Sequence, residues 1–136
     1  MNARNTAAVI GAMSLSLIAL AKDVDTSKLP PPSNRQGVTY EKDIKPILDK
    51  SCIKCHSGEK PKAKLHLDSL AGALKGGADG KVVEPGNSAR SMLVINVARL
   101  GDEDDWMPPL NNKANIPPLT QEQIGLIRAW IDQGAK

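Results

Sequence analysis

Phenylalanine is absent from this 136-residue chain, and aromatic rings are scarce altogether, with one Tyr and two Trp. A core built from such material is aliphatic, or it borrows an apolar partner, because domains of this size bury only a modest part of their surface. Cysteine and histidine each occur twice, too seldom for a disulfide-stapled scaffold. No apolar run reaches the roughly 18–20 residues that a membrane-spanning helix needs. Charge is nearly balanced, 18 basic against 15 acidic residues for a net +3. That excess is too small and too mixed for a nucleic-acid binder, which concentrates basic residues on one face. The length suits one domain, at about 100–200 residues per domain.

The ends of the chain differ in kind. Residues 1–21 open with a basic Arg4, continue through an apolar stretch from Ala7, and close on Ala19-Leu20-Ala21. This pattern predicts a secretory signal peptide cleaved after Ala21, hence an exported, periplasmic protein with no stable membrane insertion after cleavage. An uncleaved anchor is the competing reading. Residues 22–37, with three consecutive prolines at 30–32, read as a flexible Pro-rich linker. The folded unit is then expected over 38–136.

Within that unit the periodicity is helical. Tyr40, Ile44, Ile47 and Leu48 form one apolar stripe, with Pro46 either kinking the helix or lying harmlessly in its first turn. Thr120 to Gln123 match a capping box, after which Ile124, Ile127, Trp130 and Ile131 share a face and Gly134 ends the helix. A third helix is expected over about 88–100, with Met92, Ile95 and Leu93 or Val97 inward. A short fourth starts from an Asp68 cap and stops at Gly76-Gly77, and Val82-Val83 are a candidate brief strand. The expected class is all-α.

Both cysteines and one histidine fall within Cys52-Ile53-Lys54-Cys55-His56. C-x-x-C-H is the attachment pattern of a c-type haem. Two thiols a turn apart can each add across a vinyl group of one porphyrin, and the adjoining His56 then serves as axial ligand. A redox dithiol wants a βαβ context, which is missing. A structural zinc site wants four ligands, and only His66 remains to join these three.

The segments DIKPIL (43–48), CIKCH (52–56), LHLDSL (65–70), VVEPGNSARSML (82–93), MPP (107–109) and LTQEQIGLIRAWIDQGA (119–135) together resemble the planctomycete-type cytochrome c domain, a small class I-like monohaem cytochrome c. The resemblance implies a cytochrome c-like fold of three to five helices around one covalently attached haem c. The N- and C-terminal helices would cross each other, and Gly125 would let the backbones approach.

Candidates for the sixth iron ligand are Met92, Met107, His66 or none. Met107 is preferred because Met107-Pro108-Pro109 makes a stiff loop, and the family's methionine matches this position. Met92 is expected in the core and His66 in solvent. The Pro61 carbonyl is expected to accept from the His56 ring, and Trp106 either donates to a haem propionate or packs on the haem edge. With Cys52 and Cys55 as anchors and His56 and Met107 as axial ligands, both iron positions are filled. The expected function is single-electron transfer with transient donor and acceptor proteins, by a monomer that is not an enzyme. The alternative is a haem module with an open or displaceable sixth ligand, peroxidase-like or sensory. Lys42, Lys45, Lys50, Lys54, Lys60, Lys62 and Lys64 near the motif, against the acidic run 102–105, are solvated faces or a dipole that steers a partner.

Overall fold

The computed structural model describes residues 23–136; the expected signal peptide lies outside the described residues. The stripe read from the sequence is buried, with Tyr40, Ile44 and Leu48 fully enclosed and Ile47 nearly so. Its helical path opens as a π-helical turn, Tyr40–Ile44, and continues as α1, Lys45–Ser51. Pro46 stands in the first turn of α1, where its missing N–H breaks no bond. The preceding turn is fastened by Asp43, whose carboxylate accepts from the Thr39 N–H at 2.9 Å and from Arg35 Nη2 at 2.7 Å. These partners, the Thr39 N–H first, hold its carboxyl below the usual carboxylate range.

At the other end, α4 (Gln121–Asp132) starts at the expected capping box. Thr120 Oγ1 accepts from the Gln123 N–H, and Gln123 Oε1 accepts from the Thr120 N–H. Ile124, Ile127, Trp130 and Ile131 are all buried, and Gly134 leaves the helix at φ +105°. The two ends of the folded unit meet through rings. Tyr40 and Trp130 lie 5.9 Å apart, tilted at 49°. The Lys136 carbonyl accepts from both the Tyr40 N–H and the Trp130 indole. The π-helical turn packs against α4.

Three expectations change. The helix expected over 88–100 is a 3₁₀ turn, Ser88–Arg90, followed by α3, Met92–Val97 (α2 is Leu70–Lys75). The break falls at Ser91, whose backbone is extended. Its buried hydroxyl accepts from the Glu84 N–H and donates to the Asn87 carbonyl, so the side chain serves the preceding turn instead of a continuous helix. α2 is capped by Ser69, which accepts from the Gly72 N–H at 3.0 Å; Asp68 faces His66 instead. Val82-Val83 form no strand. Among the described residues the one β-type pairing is an isolated Gly77–Gly80 bridge, and Val83 contributes as a buried core residue. No helix among the described residues is long and apolar enough to cross a membrane.

The expected linker is not a free tether where the structure describes it. Leu29 enters the core, and Ser33 N–H donates to the Gly125 carbonyl at 2.9 Å. Gln133 Nε2 donates to the Arg35 carbonyl at 2.7 Å, and Arg128 Nη1 donates to the Pro30 carbonyl. Residues 29–35 thus form a strap along α4. The Pro30 and Arg35 carbonyls accept from Arg128 of α4 and from Gln133 just beyond it, and Ser33 donates back to the helix. Gly125 does permit a close backbone approach, but the partner is this strap and not the N-terminal helix. A Cβ at Gly125 would stand 2.8 Å from the Pro31 carbonyl oxygen.

For Gly125→Val we expect a loss of about 1–3 kcal/mol in urea unfolding, the range for forcing extra atoms into a packed contact; an unchanged midpoint would refute the docked strap. Asp43 sets an acid limb. Its folded pKa lies below the ordinary 3.8, so its stabilisation is complete above that value and disappears as pH falls through the folded pKa. Asp43→Asn should therefore lower the melting temperature at neutral pH and flatten its decline below about pH 4, as thermal melts across the acid range would measure.

Candidate functional site

α1 runs out at the first cysteine. Cys52 donates its N–H to the Leu48 carbonyl at 2.8 Å, and its own carbonyl accepts from Cys55 N–H at 3.1 Å and His56 N–H at 3.0 Å. The pentapeptide is therefore one hydrogen-bonded turn hanging from a buried helix. Cys52, Cys55 and His56 all line a cavity of about 750 Å³, within the usual range for small-molecule and cofactor sites, roughly 300–1,000 Å³.

The loop that follows holds the histidine. Lys62 N–H donates to the Cys55 carbonyl and Leu67 N–H to the His56 carbonyl, each at 2.8 Å. His56 Nδ1 lies 3.2 Å from the Lys62 carbonyl oxygen. A carbonyl only accepts, so this contact assigns the proton to Nδ1 and leaves the lone pair on Nε2. Burial holds the imidazole pKa below its ordinary value, against the opposing pull of the Lys62 and Leu65 carbonyls. A neutral ring with a fixed tautomer is the form that ligates a metal. The acceptor is thus Lys62 and not the expected Pro61, whose carbonyl takes the Lys64 N–H at 3.1 Å. Nothing in the sequence separates two neighbouring carbonyls in one loop.

The cysteines are free thiols. Burial pushes the Cys52 thiol up to about 12, with the neighbouring Cys55 adding to it. A redox dithiol works through a depressed thiol pKa, the opposite of what this environment does. Among the described residues no group of three or more His, Cys, Asp and Glu has an arrangement that could hold a bare metal ion.

A second set of lining residues comes from α3 and the loop after it. Met92, Leu93, Asn96 and Val97 line the cavity, and so does Met107. Met107 N–H donates to the Asn96 carbonyl at 3.0 Å, and Arg99 Nη2 reaches the Pro108 carbonyl at 3.3 Å. The Met107–Pro108 peptide bond is cis. Met92, expected in the core, is 41% exposed and faces this cavity. His66 does not line it and stands half-exposed, its Nδ1 3.6 Å from Asp68 Oδ1.

Trp106 also stays out of the lining, beneath the Arg99 guanidinium, which lies 5.9 Å from its ring centre. Among the described residues the buried side-chain polar atoms without a partner are Asn96 Oδ1, Arg99 Nε and Trp106 Nε1. All three belong to α3 or to the segment that links it to Met107. Buried polar groups call for a partner, and an unfilled set in one place marks where water or a polar ligand group belongs. Asn96 and Arg99 were not evident in the sequence, because their importance comes from where α3 ends.

An apolar-lined cavity, two thiols on one turn, a neutral imidazole and a thioether are a donor set that fits a haem. The fold is helical, with no strand among the described residues, as an all-α cytochrome c-like domain would be. Residues 52–111 match the family model described as Planctomycete cytochrome C. Over that segment the chain is similar to a planctomycete-type cytochrome c domain, a likeness that implies haem c binding and suggests haem-based electron transfer. No curated protein and no solved structure matches the chain significantly.

The Arg99 contacts are testable. Arg99→Gln removes the cation over Trp106 and the bond to Pro108. We expect the holoprotein to lose about 1–2 kcal/mol in urea melts; an unchanged midpoint would deny Arg99 its part in holding the Met107 loop.

Proposed function

We propose that the protein is an exported monohaem cytochrome c that passes single electrons between transient partners. Cys52 and Cys55 would anchor the haem, with His56 and Met107 as its axial ligands. The observation that carries this reading is the convergence of all four side chains on one cavity. When bound, the haem supplies a one-electron Fe(III)/Fe(II) couple, and His/Met ligation raises its potential relative to more electron-donating ligand pairs.

The protein's part is to hold and shield. The turn Cys52–His56 presents both thiols from a rigid helix end. Lys62 fixes the imidazole tautomer through its carbonyl, and the Asn96 carbonyl ties the Met107 backbone to α3. Leu65, Leu67, Val82, Leu93 and Val97 keep the site apolar. Neither ligand has to move for an electron to pass, so reorganisation stays small. Lys54, Lys62, Lys81 and Lys113 line the cavity against Asp79 and Asp105, a local basic excess that supports docking of an acidic partner surface. The reading of residues 1–21 as a cleaved signal peptide belongs to this proposal, since it would carry the chain to the compartment where haem c is attached.

The test is production of the full chain in a host that matures haem c. We expect haem staining of the mature band after denaturing electrophoresis, its loss in Cys52→Ala/Cys55→Ala, and a low-spin spectrum that added peroxide leaves unchanged. A colourless band would overturn covalent attachment. A high-spin, peroxide-sensitive centre would overturn the carrier in favour of the peroxidase-like alternative.

A further inference from the structure

Met92 has no ordinary reason to be where it is. It opens α3, a helix whose Leu93, Val94, Ile95 and Val97 are all buried, yet among the described residues it is one of two large apolar side chains that are exposed, the other being Leu110. Its exposure is toward the cavity, which it lines together with Leu93, Asn96 and Val97. Met92 and Asn96 are four residues apart and so adjacent on one helix face, with Cβ atoms about 5–6 Å apart. Asn96 is also the residue whose carbonyl holds the Met107 N–H. Two thioethers therefore enter the cavity from one wall, a helical turn apart. Met107 comes from the loop docked on that wall and Met92 from the wall itself.

The side chain has the properties such a role needs. Methionine has three rotatable bonds and a polarisable sulfur, and it adapts to gaps that branched side chains cannot fill. Since Met92 lies outside the enclosed core, it can change rotamer without opening a void in that core. Met107, by contrast, depends on a loop fastened at the Asn96 and Pro108 carbonyls. A loop can lift while the helix stays in place.

We propose that Met92 is a reserve thioether ligand, which takes the sixth iron position whenever Met107 leaves it. The inference rests on Met107 being the resident ligand. It implies that lifting the Met107 loop exchanges one methionine for another and does not open the iron to small molecules.

The experiment compares the haem-loaded full chain with Met107→Leu, Met92→Leu and the double variant, since leucine keeps volume and removes sulfur. The readouts are the ferric spin state, the sulfur-to-iron charge-transfer band, the reduction potential and the affinity for added imidazole. We expect Met107→Leu to stay low-spin with a displaced band and an altered potential, and the double variant to lose the band and turn high-spin. If Met92 occupies the vacated position about nine-tenths of the time, imidazole should bind the double variant about tenfold more tightly than Met107→Leu. Met92→Leu alone should keep the low-spin state and the sulfur-to-iron band, because Met107 still holds the position.

A Met107→Leu protein that is as high-spin and as open to imidazole as the double variant overturns the reserve ligand and leaves Met107 as the resident one. Loss of the band in Met92→Leu, with Met107→Leu unchanged from the wild type, overturns Met107 as resident but upholds the access of Met92 to the iron. A double variant that keeps the wild-type band overturns both.

Discussion

Tyr40 is where the structure closes on itself. Its ring lies against Trp130, its N–H meets the Lys136 carbonyl, and its phenol donates to the Leu67 carbonyl at 2.9 Å. Leu67 in turn gives its N–H to His56. One fully buried side chain thus connects the start of the first helix, the end of the last helix and the loop that orients the histidine. Burial pushes the phenol up to about 12, which keeps it a neutral donor near neutral pH. In a chain without Phe, this is the one tyrosine, and its placement lets a mainly aliphatic core hold a rigid loop at its edge.

Around that junction the two groups of site residues are built differently. The Cys52–His56 turn continues a helix and is closed by its own backbone bonds, so its geometry is local. The Met107 group is assembled from pieces: a helix end, a positive-φ residue at Arg99 (φ 56°), and a loop pinned by carbonyls and by a cation over a ring. The unpartnered polar atoms are all on this second side. Of these atoms only the Asn96 side-chain oxygen belongs to a residue on the cavity wall.

The sequence was legible where the signal is local. A capping box, a 3.6-residue apolar stripe, a proline in a first turn and C-x-x-C-H each state their structure within a few residues, and all four hold their places. It was less legible where one side chain has two possible tasks. Ser91 could continue a helix or serve the turn before it, and it does the second because its hydroxyl is buried among carbonyls and amides that need it. Met92 fits an amphipathic stripe on paper, but the helix begins there and turns that position out of the core. The proline-rich strap reads as linker because it has few apolar residues and no periodicity. What holds it is backbone carbonyls accepting from Arg128 and Gln133, a kind of bond that composition does not display.

The sequence alone determined the helical class, the two terminal helices and the turn Cys52–His56, because each follows from interactions between residues within about one or two helical turns of each other. Tertiary structure alone decided what approaches Gly125 and which methionines reach the cavity. Those choices depend on bonds and packing between residues far apart in the chain. Their energies depend on where segments come to rest against each other, and no local pattern encodes that.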